Sequence, residues 1–536
     1  MKNNTLKYIV IAIIFAILYI TIYSIYSNNK KEDENIFKNP EYSESKVYDN
    51  IRLAIAEYDT MNPLLSNNKN VQDISKLIFD SLLTLSEDFK LKNSLAEEWS
   101  KVGNTTYVIK LKTGIKWSDG SNFSAYDVLF TIDRLKEVSS IYSYNVQYVI
   151  GAEVIDNNTI KIELDREVPF FEYNLIFPIL SKSYYEGEDF INTAKNQMPI
   201  GTGAYYVEGI ANSTITLKFN EYYREPKEEY KIKQIDISLF NSMGEVYNAF
   251  KLGNIDLINT NVINIEEYIG TIGFAKKEYK ARGYDYLALN CSNNLLSNKV
   301  IRQAIMYGID KNYIVANIYN NKYKVSEYPL DYGNYLYNTE KAVWSYNPEK
   351  IKELLSNDGW ELKNNVWQKR INYRTTKLSI NLSVRSNDVN RVRVAEIIKE
   401  MLEANGIQIN IIKLSDNNFN TNLANKNYDM ILTGMNIYAN PDLTTYIGED
   451  NKANFINDEL LVILNEVKNI TDENTFKEKY NRILEIYNDE VPYIGLYNNL
   501  GTVIYSNNLI ADISPNWYNI FYNIKNWTRQ WDGFQI

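Results

Sequence analysis

The chain has 536 residues, of which 45% are apolar and 23% are charged, with a net charge of −10. A chain of this length exceeds what one hydrophobic core usually serves, so we expect two or more domains. It contains no histidine and one cysteine, Cys291, which removes the commonest general base, the commonest zinc ligand and any intrachain disulfide. The acidic balance argues against a nucleic-acid partner. We expect Cys291, inside an apolar stretch, to be packed rather than reactive.

The amino-terminal region contains an uncharged apolar run at residues 8–26, preceded by Lys2 and Lys7. Its length is close to the roughly 20 residues that cross a bilayer and exceeds the core of a secretory signal. The lysines place the amino end inside, so the remainder is expected to face outward. We interpret residues 1–26 as a retained transmembrane anchor, with a signal segment cleaved near Ser27 as the alternative. Residues 27–48 are predicted to form a flexible stalk.

The first half of the chain alternates strand and helix patterns. A strand from Asn50 leads to a turn at Asn62-Pro63 and a helix near residues 71–82. Residues 106–111 alternate apolar and polar side chains, as a half-buried strand does, and Ser124 is placed to cap the next helix. A further hairpin is predicted over residues 152–164 and a strand over 214–219.

The second half contains a predicted β-α-β unit. Residues 378–384 and 407–411 alternate as strands around an apolar helix face at 394–402. Parallel strands joined by a helix favour an α/β lobe with helices on both sheet faces. The next strand, 428–433, ends in the loop 434–442. Ligands of open α/β sheets gather beyond the carboxyl ends of strands, so we expect the site at this loop.

Several sequence motifs resemble family 5 extracellular solute-binding proteins, the oligopeptide- and dipeptide-binding receptors of ABC importers. The matching phrases are LAEEW at 95–99, LKTG at 111–114, KWSDG at 116–120, AYDV at 125–128, PIGTGAY at 199–205 and NKVIRQAIMYGID at 298–310. The resemblance implies an α/β, two-lobed periplasmic-binding-protein-like fold of type II, in its large three-subdomain form. The apolar run at residues 8–26 would add an N-terminal transmembrane helix to this fold. The resemblance also implies no enzymatic activity and no cofactor, with an ABC permease as the membrane partner of a monomer.

The same resemblance implies the domain boundaries. The first subdomain of lobe I would comprise residues 49–88, 200–284 and 496–536. The second subdomain of lobe I would comprise residues 89–199, and lobe II residues 285–495. The glycines at 201 and 203 would allow a close backbone crossing where the chain re-enters its first domain.

The resemblance also implies how a peptide would be held. Strand-like protein segments bond the main chain of an extended peptide while roomy, hydrated pockets accept its side chains. Two such segments are expected to face each other across the cleft, and their residues are Asn67, Asn68 and Lys69, and Thr433, Gly434, Met435 and Asn436. Tyr144 and Tyr493, with Tyr142 and Tyr148, are candidate cleft walls, because tyrosine offers apolar area together with a hydroxyl.

One departure from the family pattern concerns the peptide amino terminus. The family holds that ammonium group with an aspartate beyond the second segment, and Tyr438 stands at that position in this chain. The change removes a charge-assisted hydrogen bond, although Asp442 could substitute through a shifted loop. A non-peptide solute, such as an oligosaccharide or a metal chelate, is therefore the alternative ligand.

Two other classes of function remain open from the sequence. Carboxylate pairs among 67 acidic residues could belong to an anchored hydrolase, and a structural or sensory surface protein is a third possibility. No G-x-S-x-G motif and no phosphate-binding loop occurs. We therefore expect an extracellular, membrane-anchored receptor, in a Gram-positive cell, that binds its solute without altering it.

Overall fold

The structure is a computed structural model, and it describes residues 17–21, 46–262, 264–330, 333–341, 345–470 and 472–531. The predicted anchor and stalk lie outside the described residues, except for residues 17–21 and 46–48. Within the described ranges, no helix combines the length and apolar character needed to cross a membrane.

Among the described residues, four sheets lie in the segments before Phe274 and after Ser506, here called lobe I. The first contains, in spatial order, Asn50–Ala56, Gln234–Phe240, Thr214–Phe219 and Tyr205–Ala211. The second is antiparallel and contains Ala96–Val102, Thr106–Leu111, Thr159–Leu164 and Val149–Asp156. The two small sheets contain Leu83–Leu85 with Leu91–Asn93, and Lys46–Tyr48, Thr528–Trp531 and Leu509–Ile510.

The largest sheet has seven strands and joins lobe I to the rest of the chain. Its spatial order is Leu257–Thr260, Tyr493–Ser506, Phe274–Leu289, Met430–Asn436, Ser379–Arg385 and Gln408–Leu414, with Tyr323–Val325 paired beside Tyr493–Ser506. Phe274–Leu289 and Tyr493–Ser506 are long antiparallel neighbours. These two connecting strands link lobe I to the segment between them, here called lobe II. A separate small sheet in lobe II contains Glu361–Lys363, Val366–Ile371 and Arg374–Lys377.

The helices cover these sheets. Those of lobe I are Lys69–Ile78, Ala125–Glu137, Ser143–Val146, Lys182–Tyr185, Met243–Lys251 and Glu266–Ile269. Those of lobe II are Lys299–Tyr307, Lys311–Tyr319, Pro348–Asn357, Val389–Ala404, Asp416–Ala424, Thr444–Ile447, Asp458–Glu466 and Glu473–Glu490.

The predicted β-α-β unit is confirmed. Ser379–Arg385 and Gln408–Leu414 pair in parallel, and Val389–Ala404 connects them. Gly406 follows the helix with φ of +81°, a backbone conformation that glycine adopts without steric cost. The helix predicted near 71–82 ends earlier, at Ile78, because the backbone of Phe79 is extended. The Phe79 N–H makes the last helical hydrogen bond, to the Ser75 carbonyl.

The close backbone crossing at the two glycines is also confirmed. A Cβ atom at Gly201 would lie 1.9 Å from the Ile78 carbonyl oxygen, and one at Gly203 would lie 2.6 Å from that of Leu77. The Gly203 amide donates to the Ile78 carbonyl at 2.8 Å. Only residues without a side chain allow this contact between the helix Lys69–Ile78 and the chain that enters the strand Tyr205–Ala211.

Each lobe has its own apolar core. The lobe I core includes Ile51, Trp117 and Trp527, and the lobe II core includes Ile305 and Leu382. A third cluster contains side chains of both lobes, and Phe170 and Phe476 meet in it with ring centroids 5.7 Å apart. The finer subdomain boundaries stay a prediction.

Candidate functional site

A cavity of about 510 Å³ lies between the two lobes. This volume is in the range of small-ligand sites. Lobe I contributes most of the wall, the connecting strand contributes Arg282, and lobe II contributes the loop Tyr438–Asn440. The lobe I residues are Asn67, Lys69, Gln72, Asp73, Lys76, Ile141, Tyr142, Tyr144, Asn145, Tyr173, Asn174, Ile176, Trp517 and Tyr518.

The first wall is one face of the helix Lys69–Ile78. Asn68 caps this helix: its side chain accepts from the Asn70 amide at 2.9 Å and donates to the Ala56 carbonyl at 2.7 Å. Lys69, Asp73 and Lys76 follow at intervals of four and three residues, so all three face the cavity. The capped turn therefore fixes the direction of a charged helix face.

Asp73 is the sole carboxylate among the described residues that line the cavity, and its oxygens are occupied. One accepts from the Lys69 ammonium group, and the other accepts from the Asn259 side-chain amide at 2.8 Å. The Tyr279 hydroxyl fixes Asn259 in turn, by donating to its carbonyl oxygen at 2.9 Å. Asp73 is therefore committed to protein partners rather than open to a ligand.

Aromatic rings from both lobes meet across the cavity. Tyr144 of lobe I and Tyr438 of lobe II stack with centroids 5.5 Å apart, and each remains about half exposed, at 50% and 48%. The Arg282 guanidinium lies 5.1 Å from the centroids of both Tyr438 and Trp517. Its Nε donates to the Ile437 carbonyl at 2.9 Å, which anchors the lobe II loop to the connecting strand.

Lys76 provides a second cation beside the aromatic residues of the cavity wall. The Lys76 ammonium lies 3.8 Å from the Tyr518 ring centroid, and Tyr518 is the neighbour of Trp517, with centroids 6.3 Å apart. Across the described residues, no carboxylate forms a salt bridge with Lys76 or Arg282. Burial lowers the pKa of Arg282, yet a guanidinium stays charged in proteins. The cavity thus has three cations against one paired carboxylate, in a chain of net charge −10.

The predicted site residues divide into two groups. Asn67, Lys69, Tyr144 and Tyr438 line the cavity together, as does Tyr142. Asn68 stands beside them as the helix cap. The second predicted segment, from Thr433 through Gly434 and Met435 to Asn436, lies in the strand Met430–Asn436, opposite Gly283–Tyr286 of the connecting strand, and does not line the cavity.

Asp442 also lies outside the cavity wall. Its Oδ1 accepts from the Thr444 amide at 2.8 Å, and its own amide donates to Asn440 Oδ1 at 2.7 Å, which fixes a tight turn. It remains near the stacked tyrosines, because burial first and then the charges of Tyr438, Tyr148 and Asp442 raise the pKa of Tyr144. Its substitution for the amine-binding aspartate stays a prediction.

The expectation that Tyr493 forms a cavity wall is corrected by its burial. Its ring is 1% exposed and stacks on Tyr446 with centroids 4.2 Å apart. Its hydroxyl accepts from the Ala453 amide at 3.1 Å. Tyr493 therefore belongs to the buried tyrosine cluster of lobe II.

The wall residues that were missed from the sequence include four with cationic or aromatic side chains, Lys76, Arg282, Trp517 and Tyr518. Lys76 lay within the helix predicted near 71–82, but Lys69 preceded that predicted helix, so the shared face became apparent only when the structure began the helix at Lys69. The other three come from the connecting strand and the carboxyl-terminal segment, where no motif marks them. In the part of the chain that the structure describes, no group of three or more acidic or cysteine side chains could hold a metal ion.

Comparisons with known proteins agree with this arrangement. Residues 90–454 match the model of the bacterial extracellular solute-binding proteins, family 5. The oligopeptide-binding protein AppA of Bacillus subtilis is 23% identical over 479 residues, covering 83% of this chain and 85% of AppA. Heme-binding protein A of Haemophilus influenzae is 24% identical over 478 residues, covering 81% of this chain and 84% of that protein.

A solved structure shows the same fold. The unliganded open form of MppA, a periplasmic murein tripeptide binding protein, superposes with a TM-score of 0.77 at 16% identity, over 92% of this chain and 99% of MppA. The structural neighbours are two-lobed solute-binding proteins of mixed α and β content. Because the family model spans more than half of the residues, the chain belongs to the bacterial extracellular solute-binding proteins of family 5.

Proposed function

We propose that this chain is the receptor of an ABC importer and binds a peptide in the cavity between its lobes. The observation that carries the proposal is the pair Tyr144 and Tyr438, which brings the two lobes together at the cavity wall. A ligand that contacts both lobes stabilises the closed form more than the open one, which a permease can then distinguish. The peptide leaves unaltered, since the role requires only binding and release.

The printed functions of two relatives support a peptide ligand. AppA is an oligopeptide-binding protein and MppA binds a murein tripeptide. We assign the chain to the type II fold in its three-subdomain form and propose that it acts as a monomer. The apolar run at residues 8–26 would hold it at the outer face of the cell membrane, beside the permease.

A non-peptide solute is the second candidate, because the cavity wall is rich in aromatic rings. Tyr142, Tyr144, Tyr173, Tyr438, Trp517 and Tyr518 surround it, and one relative is a heme-binding protein. Flat aromatic ligands stack well on such surfaces.

The test is capture from a mixture. The purified full-length chain is incubated with a random peptide pool and, separately, with heme, and the material that co-elutes is identified by mass spectrometry. Intact peptides are expected. Retention of heme alone would favour the second candidate, cleaved peptides would indicate a hydrolase, and retention of neither would contradict a receptor for peptides or for heme.

A matched pair of variants locates the binding site. Tyr438→Ala removes a 48% exposed ring from the cavity wall, and Tyr313→Ala removes a 51% exposed ring from the lobe II helix Lys311–Tyr319, outside the cavity. We expect peptide retention to fall about tenfold for Tyr438→Ala, the size expected for a buried aromatic contact. Retention by Tyr313→Ala should match the parent protein, and equal loss in both variants would place the site elsewhere.

A further inference from the structure

We propose that the cavity selects anionic solutes, and that Lys76 and Arg282 hold a carboxylate of the ligand. This inference rests on the proposed function, which it deepens by naming the class of solute. Both cations stand on neighbouring rings of one wall, Lys76 over Tyr518 and Arg282 over Trp517. A carboxylate that enters the cavity therefore meets positive charge from the helix Lys69–Ile78 and from the connecting strand.

Neither of these two side chains forms a salt bridge among the described residues, although, against the effect of burial, Tyr518 and the more distant Asp73 both favour the charged form of Lys76 and raise its pKa. The Nε of Arg282 donates to the Ile437 carbonyl, and its two terminal NH2 groups have no acceptor among the described residues. The Lys76 ammonium faces the ring of Tyr518 and has no salt-bridge partner in the described ranges. A carboxylate is a natural acceptor for both, because charge-assisted hydrogen bonds are about twice as strong as neutral ones.

The cavity offers a positively charged ligand group no comparable binding partner. Asp73 already accepts from Lys69 and Asn259, so a ligand ammonium would have to displace a protein donor. Tyr438, at the position where the family pattern has its aspartate, offers a ring that is already in contact with Arg282. Like charges inside a partly dry cavity repel, and a basic ligand would meet an excess of cations.

The test uses three pools of peptides, matched in length and differing only in whether one position holds Glu, Gln or Lys. The full-length chain is equilibrated with all three together, and the retained peptides are counted by mass spectrometry. We expect the Glu pool to exceed the Lys pool by at least about tenfold, as expected for a charge-assisted pair. Two modified Glu pools separate the sources of charge: amidating the carboxyl terminus tests that carboxylate, and acetylating the amino terminus tests the ammonium.

Charge-removing variants then assign the effect to the two side chains. Lys76→Met keeps the aliphatic stem over Tyr518, and Lys251→Met, on the exposed face of the helix Met243–Lys251, changes the net charge equally. We expect Lys76→Met and Arg282→Gln to reduce the preference for the Glu pool about tenfold, and Arg282→Lys to preserve most of it. Lys251→Met should retain the preference of the parent protein.

The outcomes separate this inference from the receptor assignment. Equal retention of the three pools, or a preference for Lys, overturns the selection of anions while the receptor assignment stands. A preference for Glu that survives in both Lys76→Met and Arg282→Gln assigns it to other residues and overturns the proposed contacts. Retention of no peptide from any pool contradicts both proposals. Because the pool comparison uses the unmodified protein, it remains decisive if a variant fails to fold.

Discussion

Two arginines, one in the connecting strand Phe274–Leu289 and one packed against it, differ in whether a carboxylate neutralises them. Arg391 grips Asp285 of that strand with two hydrogen bonds, of 2.9 and 2.7 Å, and is neutralised. Arg282, three residues before Asp285, has aromatic rings and a carbonyl as neighbours instead of a carboxylate. The neutralised pair ties the strand Phe274–Leu289 to the helix Val389–Ala404, whereas Arg282 faces the cavity.

This difference indicates what each charge is for. A partly buried cation costs desolvation free energy, which a fixed carboxylate offsets within the protein. At Arg391 the offset is permanent and serves stability. At Arg282 no protein carboxylate offsets the desolvation cost, and a ligand carboxylate would do so. Arginine therefore serves stability at position 391 and is available for binding at position 282.

The largest expected effect on stability comes from adding a methyl group at Gly434, next to the ion pair of Arg391 and Asp285. A Cβ atom at Gly434 would lie 2.3 Å from Asp285 Oδ1 and 2.5 Å from the Arg391 guanidinium. We expect Gly434→Ala to lower the free energy of unfolding by about 3 kcal/mol, because it both crowds the site and separates the ions. The strand residue Gly209, whose Cβ would meet nothing within 4 Å, supplies the control. Urea denaturation should show Gly209→Ala within about 0.5 kcal/mol of the parent protein; equal effects would refute the steric account.

Removing the cation of the pair should come next. Arg391→Met leaves Asp285 with its charge and without its partner, and we expect a loss of about 2 kcal/mol in urea denaturation. Adding Asp285→Asn removes the stranded charge, so the double variant should be more stable than Arg391→Met alone. A double variant that is less stable would show that Asp285 contributes through contacts other than this pair.

A partly buried acid without a salt-bridge partner should respond to pH in the opposite way from a salt-bridged one. Burial raises the pKa of Glu172, although its own backbone amide, the charge of Lys101 and the nearby Tyr107 side chain partly oppose this. The folded state then holds its proton at pH values where the unfolded state has lost it, so this group makes stability fall as pH rises above about 4.3. Glu172→Gln should therefore gain stability at neutral pH, and the gain should vanish near pH 3. A gain that is independent of pH would exclude this cause.

The smallest expected effect on stability belongs to Arg282. No carboxylate among the described residues depends on Arg282, so Arg282→Gln loses only the contacts with two rings and the hydrogen bond to Ile437, and it should lower the free energy of unfolding by about 1 kcal/mol. Thermal unfolding without ligand measures this. A loss comparable to that of Arg391→Met would mean that Arg282 is structural after all, and the contrast between the two arginines would disappear.

The sequence predicted the architecture better than the cavity. Local patterns were enough for the β-α-β unit, since its two strands and its helix follow one another along the chain. The glycine crossing was expected from the family resemblance instead, because Gly201 meets Ile78, which lies 123 positions earlier. The fate of a tyrosine depends on packing between distant segments. With 45 tyrosines in the chain, nothing in the sequence separates the exposed Tyr438 from the buried Tyr493.

The cationic residues of the cavity wall could not be predicted from the sequence, for the same reason. Arg282 and Trp517 are 235 positions apart, and their 5.1 Å contact exists only because the carboxyl-terminal segment returns to lobe I beside the connecting strand. A helical pattern relates residues within a few turns and carries no information on such contacts. The replacement of the family's aspartate by Tyr438 could be seen in the sequence, whereas the position of Arg282 over this tyrosine ring could be seen only in the fold.

The most direct test of the account is a crystal structure of the chain with a peptide recovered from the capture experiment. We expect an intact peptide between Tyr438 of lobe II and the helix Lys69–Ile78 of lobe I, with a carboxylate within hydrogen-bond distance of Lys76 or Arg282. A peptide bound to one lobe only, or one whose ammonium group occupies the place next to these cations, would contradict it.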